Sequence, residues 1–124
     1  LAPGKITTLY RRDREMVIRI RDLLRAGLPD TLSLDDIADR LHLSPRTIHR
    51  RLKEEGSSFR GIKEALRRDM ALARLTKTKD SIAQVAADLG YADTSAFYRA
   101  FVEWTGMAPV HYRRQWMGKL TDTP

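Results

Sequence analysis

The sequence has no cysteine among its 124 residues, which excludes a disulfide framework and a thiolate metal site. It has no apolar run near the roughly 20 residues that a membrane span needs, and we expect no signal peptide. Its three histidines, His42, His49 and His111, lack metal-ligand spacing, and no nucleophile-base grouping or phosphate-cradling glycine loop occurs. We therefore expect no enzyme, no cofactor, no metal and no membrane span, and a cytoplasmic location.

The formal net charge is +7, and it is concentrated in one part of the chain. Residues 44–79 hold eleven Lys/Arg against four Asp/Glu, whereas the remainder holds twelve of each. A basic zone of this kind favours a polyanionic partner, most often nucleic acid. On charge alone, an acidic membrane surface is the alternative.

Residues 44–53 predict a short basic helix. Ser44 can cap it, and Pro45 suits its first position because that amide has no partner within the helix. Ile48 and Leu52 lie four residues apart on one face. The other face carries Arg46, His49, Arg50 and Lys53. Such a helix fits the major groove of DNA, although a solvated surface helix has the same pattern.

Helical spacing of apolar residues predicts an all-α fold with seven helices. The first helix is expected over residues 11–26. The second begins at Ser33, close to a capping-box spacing with Asp36, and ends near His42. The basic helix starts only a tight turn later, so the second and third helices form a helix-turn-helix pattern.

A longer helix is predicted from Ser57 or Ser58 to about Lys77. With roughly 20 residues it spans about 30 Å, near the ~34 Å between successive major-groove faces. Its expected inward side chains are Phe59, Ile62, Leu66, Met70, Ala73 and Leu75, and its expected outward ones are Arg60, Lys63, Arg67, Arg68 and Arg74.

The helix-turn-helix pattern then recurs at an offset of 48 to 49 residues. Ser81 and Gln84 have capping-box spacing, and Asp93 is the expected cap of the next helix. Phe97 and Phe101 repeat the apolar pair of the basic helix. Internal duplication is a far more specific signal than either copy alone. A last helix begins at Pro109, with Tyr112 and Trp116 expected to fold back onto the second copy.

These patterns predict five segments. They are a frayed linker at 1–10, a first helix-turn-helix subdomain at 11–56, a linker helix at 57–79, a second subdomain at 80–117 and a disordered tail at 118–124. The chain starts with Leu-Ala-Pro-Gly and not with Met, so we expect a fragment of a longer protein.

A set of motifs in both copies matches a known signature. It comprises Leu34 to Ala38, Leu43 to Arg46, Ser81 to Ala86, Gly90, Tyr91, Ser95, Phe97, Arg99 to Phe101, Gly106, Pro109, Tyr112 and Arg113. This set resembles the signature of AraC/XylS-type transcription regulators. The resemblance covers about residues 11–116, and Ala108 departs from the serine that is common there. It implies a seven-helix bacterial DNA-binding domain, and a separate sensing or dimerisation domain, often amino-terminal, that this chain would lack.

The candidate site has two sets of residues. Predicted base contacts are Arg46, His49 and Arg50 in the first copy and, at the positions that the family uses, Thr94, Ser95, Tyr98 and Arg99 in the second. Predicted phosphate contacts are Ser33, Thr47, Arg51, Lys53, Ser58, Ser81, Arg113 and Arg114. Because the second copy carries little charge, we expect the first to supply most of the affinity and sequence preference. Alternatives stay open: ordinary capping for the serines, a flanking position that only adds to the positive field for Arg51, and a structural role for Arg99.

We therefore predict a sequence-specific double-stranded DNA-binding domain of a bacterial transcription regulator, by family habit an activator. It would insert two recognition helices into adjacent major-groove segments of promoter DNA at the nucleoid. Acidic residues at 35–36 and 54–55 are candidate contacts for RNA polymerase. The alternative is a helical protein-interaction module with nonspecific nucleic-acid binding. Neither operator, regulated genes nor effector follows from the sequence.

Overall fold

A computed structural model of the protein describes residues 14–121. In this part of the chain there are seven α-helices and no strand, which confirms the predicted all-α class. None of the seven is both long and apolar enough to cross a membrane. The helices are α1 (Glu15–Gly27), α2 (Leu34–Leu41), α3 (Pro45–Glu54), α4 (Phe59–Lys77), α5 (Ile82–Asp88), α6 (Thr94–Thr105) and α7 (Pro109–Thr121).

The chain divides into two compact units, the first ending at Leu66 and the second beginning at Arg67. The boundary falls inside α4, so this helix contributes its first turns to one unit and its last turns to the other. Each unit contains one helix-turn-helix, formed by α2 and α3 in the first and by α5 and α6 in the second.

Two helix ends differ from the predicted ones. Helix α1, expected to end at residue 26, has Gly27 as its last residue, and a Cβ there would lie 2.8 Å from Cδ1 of the buried Leu32. Glycine therefore permits this close approach. Helix α7 continues to Thr121, past the start of the tail predicted to be disordered from residue 118, because the helical backbone hydrogen bonds persist there. The linker predicted at residues 1–10, the helix start at Arg11 and residues 122–124 lie outside the described residues.

The first unit packs α1 and α2 against α3. Its buried side chains are Met16, Ile20, Leu24, Leu32, Ile37, Ala38, Ile48, Leu52, Ile62 and Leu66. The Ser33 hydroxyl accepts the Asp36 amide at 3.1 Å, and the Asp36 carboxylate accepts the Ser33 amide at 2.9 Å, which completes a capping box. These hydrogen bonds lower the pKa of Asp36 below 3.8.

In the second unit, an ion cluster links the end of α4 to α5. Arg74 reaches Asp80 at 2.8 Å and Asp88 of α5 at 2.9 Å. The Gln84 side chain donates to Asp88 at 2.8 Å, so it does not close the predicted capping box with Ser81, whose hydroxyl still accepts the Gln84 amide. The buried side chains of this unit are Ala71, Leu75, Val85, Ala86, Leu89, Phe97, Phe101 and Pro109.

On helix α4, the burial of several side chains differs from the prediction. Ala71 is fully buried, whereas the predicted inward residues Met70 and Ala73 are half-buried. Arg67, predicted to point outward, is half-buried, and its guanidinium lies 4.6 Å from the centre of the Tyr91 ring. A simple helical stripe assigns burial by spacing alone and does not anticipate a cation lying over an aromatic ring.

The two turns confirm the internal duplication at the level of the backbone. His42 after α2 and Gly90 after α5, 48 residues apart, both have positive φ, at 56° and 84°. In each turn the amide of the next residue donates to the carbonyl five positions back at 3.1 Å. The first copy thus places a histidine in a left-handed conformation that suits glycine.

We expect His42→Gly to raise the free energy of unfolding by about 1 kcal/mol, because it removes the Cβ atom that makes the left-handed conformation strained. Urea unfolding followed by circular dichroism measures this difference. The reciprocal control is Gly90→Ala, which should lower the free energy of unfolding by a similar amount. A His42→Gly protein less stable than the parent would contradict this account of the turn.

The ion cluster predicts a pH dependence. The hydrogen bond from Gln84 and the ion pair with Arg74 lower the pKa of Asp88 below its ordinary value of 3.8. Its contribution to stability is therefore present above the unfolded pKa and lost as the pH falls through the folded pKa. Asp88→Asn should reduce the urea midpoint at about pH 6 and have a smaller effect at about pH 3. An equal loss at both pH values would contradict the prediction.

Candidate nucleic-acid interface

Helix α3 has the two faces that its sequence predicts. Ser44 accepts the Thr47 amide at 3.1 Å, Pro45 is its first residue, and Ile48 and Leu52 are buried at 0% and 1% exposure. Its exposed side chains include Arg46, His49, Arg50, Arg51 and Lys53. Burial of one face therefore presents a row of cationic and imidazole side chains on the other.

Two predicted contact residues on α3 have partners within the fold. Arg50 Nε lies 3.6 Å from Glu54 Oε1, with both side chains about two-thirds exposed. An exposed pair of this spacing contributes only about 0.3–0.5 kcal/mol, so it does not prevent Arg50 from contacting another anion. Thr47 is half-buried, and its hydroxyl accepts a hydrogen bond from the Ser44 hydroxyl at 2.9 Å.

Glu55 fixes the end of α3 and was not identified as a structural residue from the sequence. Its carboxylate accepts the backbone amides of Met16 at 3.0 Å and Val17 at 2.9 Å, in the first turn of α1. Arg14, at the N-cap of α1, offers no side-chain cap, so Glu55 satisfies these amides from 38 and 39 residues away. This use of Glu55 makes it a poor candidate for the predicted contact with RNA polymerase.

Helix α6 is built on the same plan with different chemistry. Asp93 accepts the Ala96 amide at 2.7 Å, confirming it as the cap, and Phe97 and Phe101 are fully buried. The exposed side chains Thr94, Ser95, Tyr98 and Arg99 line an open hollow of about 300 Å³. The structure thus brings together all four residues that were predicted as base contacts on this helix.

An aromatic cluster packs around the buried face of α6. The ring of Phe97 lies 5.4 Å from Tyr91, and that of Phe101 lies 5.3 Å, edge-on, from Tyr112. The predicted return of Tyr112 onto this unit is therefore confirmed. Trp116 contacts the Tyr112 ring at 6.0 Å and remains 43% exposed. The cluster replaces the aliphatic pair of α3 with larger and more rigid side chains.

The predicted phosphate residues are arranged in three ways. Ser33, Ser58 and Ser81 each accept the amide three positions on, at 3.0–3.1 Å, so their hydroxyls act as helix caps. Arg114 is exposed. Arg113 is half-buried, and its Nε donates to the Leu75 carbonyl at 3.1 Å, near the end of α4. The sequence pattern did not anticipate this contact, which uses Arg113 inside the second unit.

Comparisons with known proteins agree on one family. The family model described as "Helix-turn-helix domain" matches residues 37–115. The ornithine utilization regulator of Pseudomonas aeruginosa is 37% identical over 98 residues, which cover 79% of this chain and 29% of that protein. The chain spans about three tenths of the length of the first curated relatives that it matches.

Solved structures give the same result. A DNA-binding transcriptional dual regulator from Escherichia coli K-12 matches with a TM-score of 0.77 and 27% identity, over 83% of this chain and 93% of that one. The transcriptional regulator CdpR from Pseudomonas aeruginosa matches with a TM-score of 0.73 and 35% identity, over 87% of this chain and 34% of that one.

The contact between Glu55 and α1 can be tested directly. We expect Glu55→Ala to lower the free energy of unfolding by about 1–2 kcal/mol, because two amides of α1 lose a charged acceptor. Hydrogen exchange at the Met16 and Val17 amides should accelerate with it. Glu54→Ala removes the same charge one residue earlier and should change stability by less than about 0.5 kcal/mol. Equal effects of the two substitutions would contradict the capping role.

Proposed function

Because the chain belongs to the family of AraC-type helix-turn-helix domains that bind DNA in transcription regulators, we propose that it reads a specific duplex sequence through α3 and α6, each in the major groove. The observation that carries this proposal is the repeat itself. Two capped helices, 49 residues apart, each bury an apolar pair and expose the opposite face. A recognition helix needs one face that is buried in its own domain and an opposite face that is exposed and can contact DNA.

In the first unit, Arg46, His49 and Arg50 are the proposed base contacts. An arginine can donate two hydrogen bonds to guanine O6 and N7, and each such pair contributes about 1–3 kcal/mol of discrimination. Arg51 and Lys53 are exposed on the same short helix and would contact phosphates. Thr47 would add a phosphate contact near the helix start.

In the second unit, Thr94, Ser95, Tyr98 and Arg99 are the proposed base contacts. Of these four, only Arg99 carries a charge. Neutral side chains release no counterions, so α6 would contribute less of the salt-dependent affinity than α3. We therefore propose unequal units, in which α3 supplies most of the affinity and sequence preference.

Backbone phosphates would be bound at the helix N-termini and by exposed cations. The hydroxyls of Ser33, Ser58 and Ser81 are occupied as caps, but the first two amides of a helix have no intrahelical acceptor and favour anions. Arg114 is exposed and would add a cation near the carboxyl end. Arg113, with its contact to the Leu75 carbonyl, is the weakest of the proposed phosphate residues.

The longer protein would act as a cytoplasmic, nucleoid-associated regulator of promoter DNA, with an additional sensing or dimerisation domain and no catalytic step. Activation through RNA polymerase needs an exposed acidic surface. Asp36 and Glu55 take part in capping, which leaves Asp35 as the candidate with the fewest internal contacts and Glu54 as one in an exposed ion pair.

The proposal predicts distinct effects for α3 and α6. After selection of bound sequences from random duplex DNA, Arg46→Ala and Arg50→Ala should each weaken binding to the selected duplex about fivefold to 100-fold in a mobility-shift titration. Arg99→Ala should weaken it less. The double substitution in α3 should nearly abolish specific binding in the same titration.

A matched control separates base reading from charge. Arg60→Ala removes an exposed cation from α4, and it should weaken specific and random duplex by similar factors. If Arg99→Ala weakens binding more than Arg50→Ala, the proposed ranking of the units is wrong. If no sequence is enriched over random duplex, the protein binds nucleic acid without specificity, as a helical interaction module would.

A further inference from the structure

The hollow on α6 is a property of four side chains on one face of the helix. Thr94, Ser95, Tyr98 and Arg99 stand at helical positions i, i+1, i+4 and i+5, and all four are exposed. Together they line an open space of about 300 Å³ on the surface of the helix. Its lining combines a methyl group, an aromatic ring, hydroxyls and one guanidinium.

The corresponding face of α3 has different side chains. With the offset of 49 residues, Ser95 occupies the position that is equivalent to Arg46 in the first copy. Tyr98 is likewise equivalent to His49, and Arg99 to Arg50. Relative to α3, the second copy exchanges a long cation for a small hydroxyl and an imidazole for a phenol. It thereby gains apolar surface and space, and it keeps one arginine.

Arg99 differs from Arg50, the equivalent residue of α3, in its partners. Arg50 pairs with Glu54, four residues on, whereas Arg99 forms no hydrogen bond or ion pair with Glu103 or any other residue of the described part of the chain. The Arg99 guanidinium therefore has its five donors available to an external acceptor. Arg99 is one of the four residues that line the hollow.

We infer that this hollow receives the C5-methyl group of a thymine while Arg99 donates to O6 and N7 of an adjacent guanine, so that α6 selects a two-base step by one apolar contact and one bidentate contact. The inference rests on the proposed function and extends it. Thymine carries the methyl group that distinguishes it in the major groove, and apolar side-chain atoms are its usual contacts. Guanine is the base that an arginine fork recognises best.

The two helices then read DNA by different chemistry. The α3 face carries cationic donors with little apolar surface, whereas the α6 hollow offers apolar surface, three hydroxyl groups and one cation. Apolar contact with a methyl group is insensitive to salt, because it releases no counterions. The contribution of α6 to sequence preference should therefore persist at salt concentrations that weaken the contacts of α3.

The test replaces single atoms of the DNA. With the 124-residue chain and a duplex selected from a random pool, each thymine is exchanged in turn for deoxyuridine, which lacks only the methyl group. We expect one thymine to show a loss of about fourfold in affinity, the value of one buried methyl group. Exchange of the neighbouring guanine for 7-deazaguanine, which lacks N7, should cost about tenfold.

Variants assign the two effects to the hollow. Thr94→Ser and Tyr98→Ala remove apolar lining and should bring the thymine-to-uracil ratio at that position towards one. Arg99→Ala should leave this ratio unchanged and abolish the sensitivity to 7-deazaguanine. Arg46→Ala is the control on α3: it should weaken binding to all duplexes and preserve both ratios at the α6 position. Circular dichroism checks that each variant remains folded.

The outcomes are separable. A selected duplex with no thymine sensitivity, or with a sensitivity that survives both Thr94→Ser and Tyr98→Ala, overturns the inference and leaves the proposed function standing. A loss of the thymine-to-uracil ratio in Arg46→Ala assigns the methyl contact to α3 and also overturns it. If the pool yields no enriched sequence, the proposed function fails, and the inference fails with it.

Discussion

The structure depends on the burial of one apolar pair in each copy of the repeat. Ile48 and Leu52 anchor α3, and Phe97 and Phe101 anchor α6, with exposures of 0–1%. Side chains four apart on a helix share a face, so burial of each pair fixes the rotation of its helix. The residues between them are thereby exposed in α3, as are Tyr98 and Arg99 in α6. Burying these side chains contributes about 1.5–3 kcal/mol each and also determines which residues can meet a ligand.

Polar contacts determine where these helices begin and which neighbouring helices they are linked to. Ser44 and Asp93 cap their amino ends, and Glu55 connects the end of α3 to two backbone amides of α1. In the second unit, Arg74 connects α4 to α5 through Asp88. Charged side chains that bind helix amides or internal carboxylates in this way are less available to contact DNA. The cations that remain exposed on α3 are the candidate contacts of the first unit, and the four residues that line the hollow on α6 are those of the second.

Much of this was predictable from the sequence, because it is local. Caps, prolines at helix starts and apolar spacing act over three or four residues, and they predicted the helix-turn-helix of each copy and the face of α3. The contacts of Glu55 with α1, of Arg67 with Tyr91 and of Arg113 with Leu75 join residues 24 to 39 positions apart. No spacing rule specifies such pairs. The hollow on α6 also escaped prediction, since it depends on side-chain conformation and not on residue type alone.

The central claim is that both copies of the repeat contact base edges in the major groove. Dimethyl sulfate footprinting of the selected duplex tests it most directly, because this reagent methylates guanine N7 in that groove. Two separate clusters of protected guanines are predicted for the parent protein, and Arg99→Ala should expose one cluster while the other stays protected. A single protected cluster, or two clusters that are both unaffected by Arg99→Ala, would contradict the account.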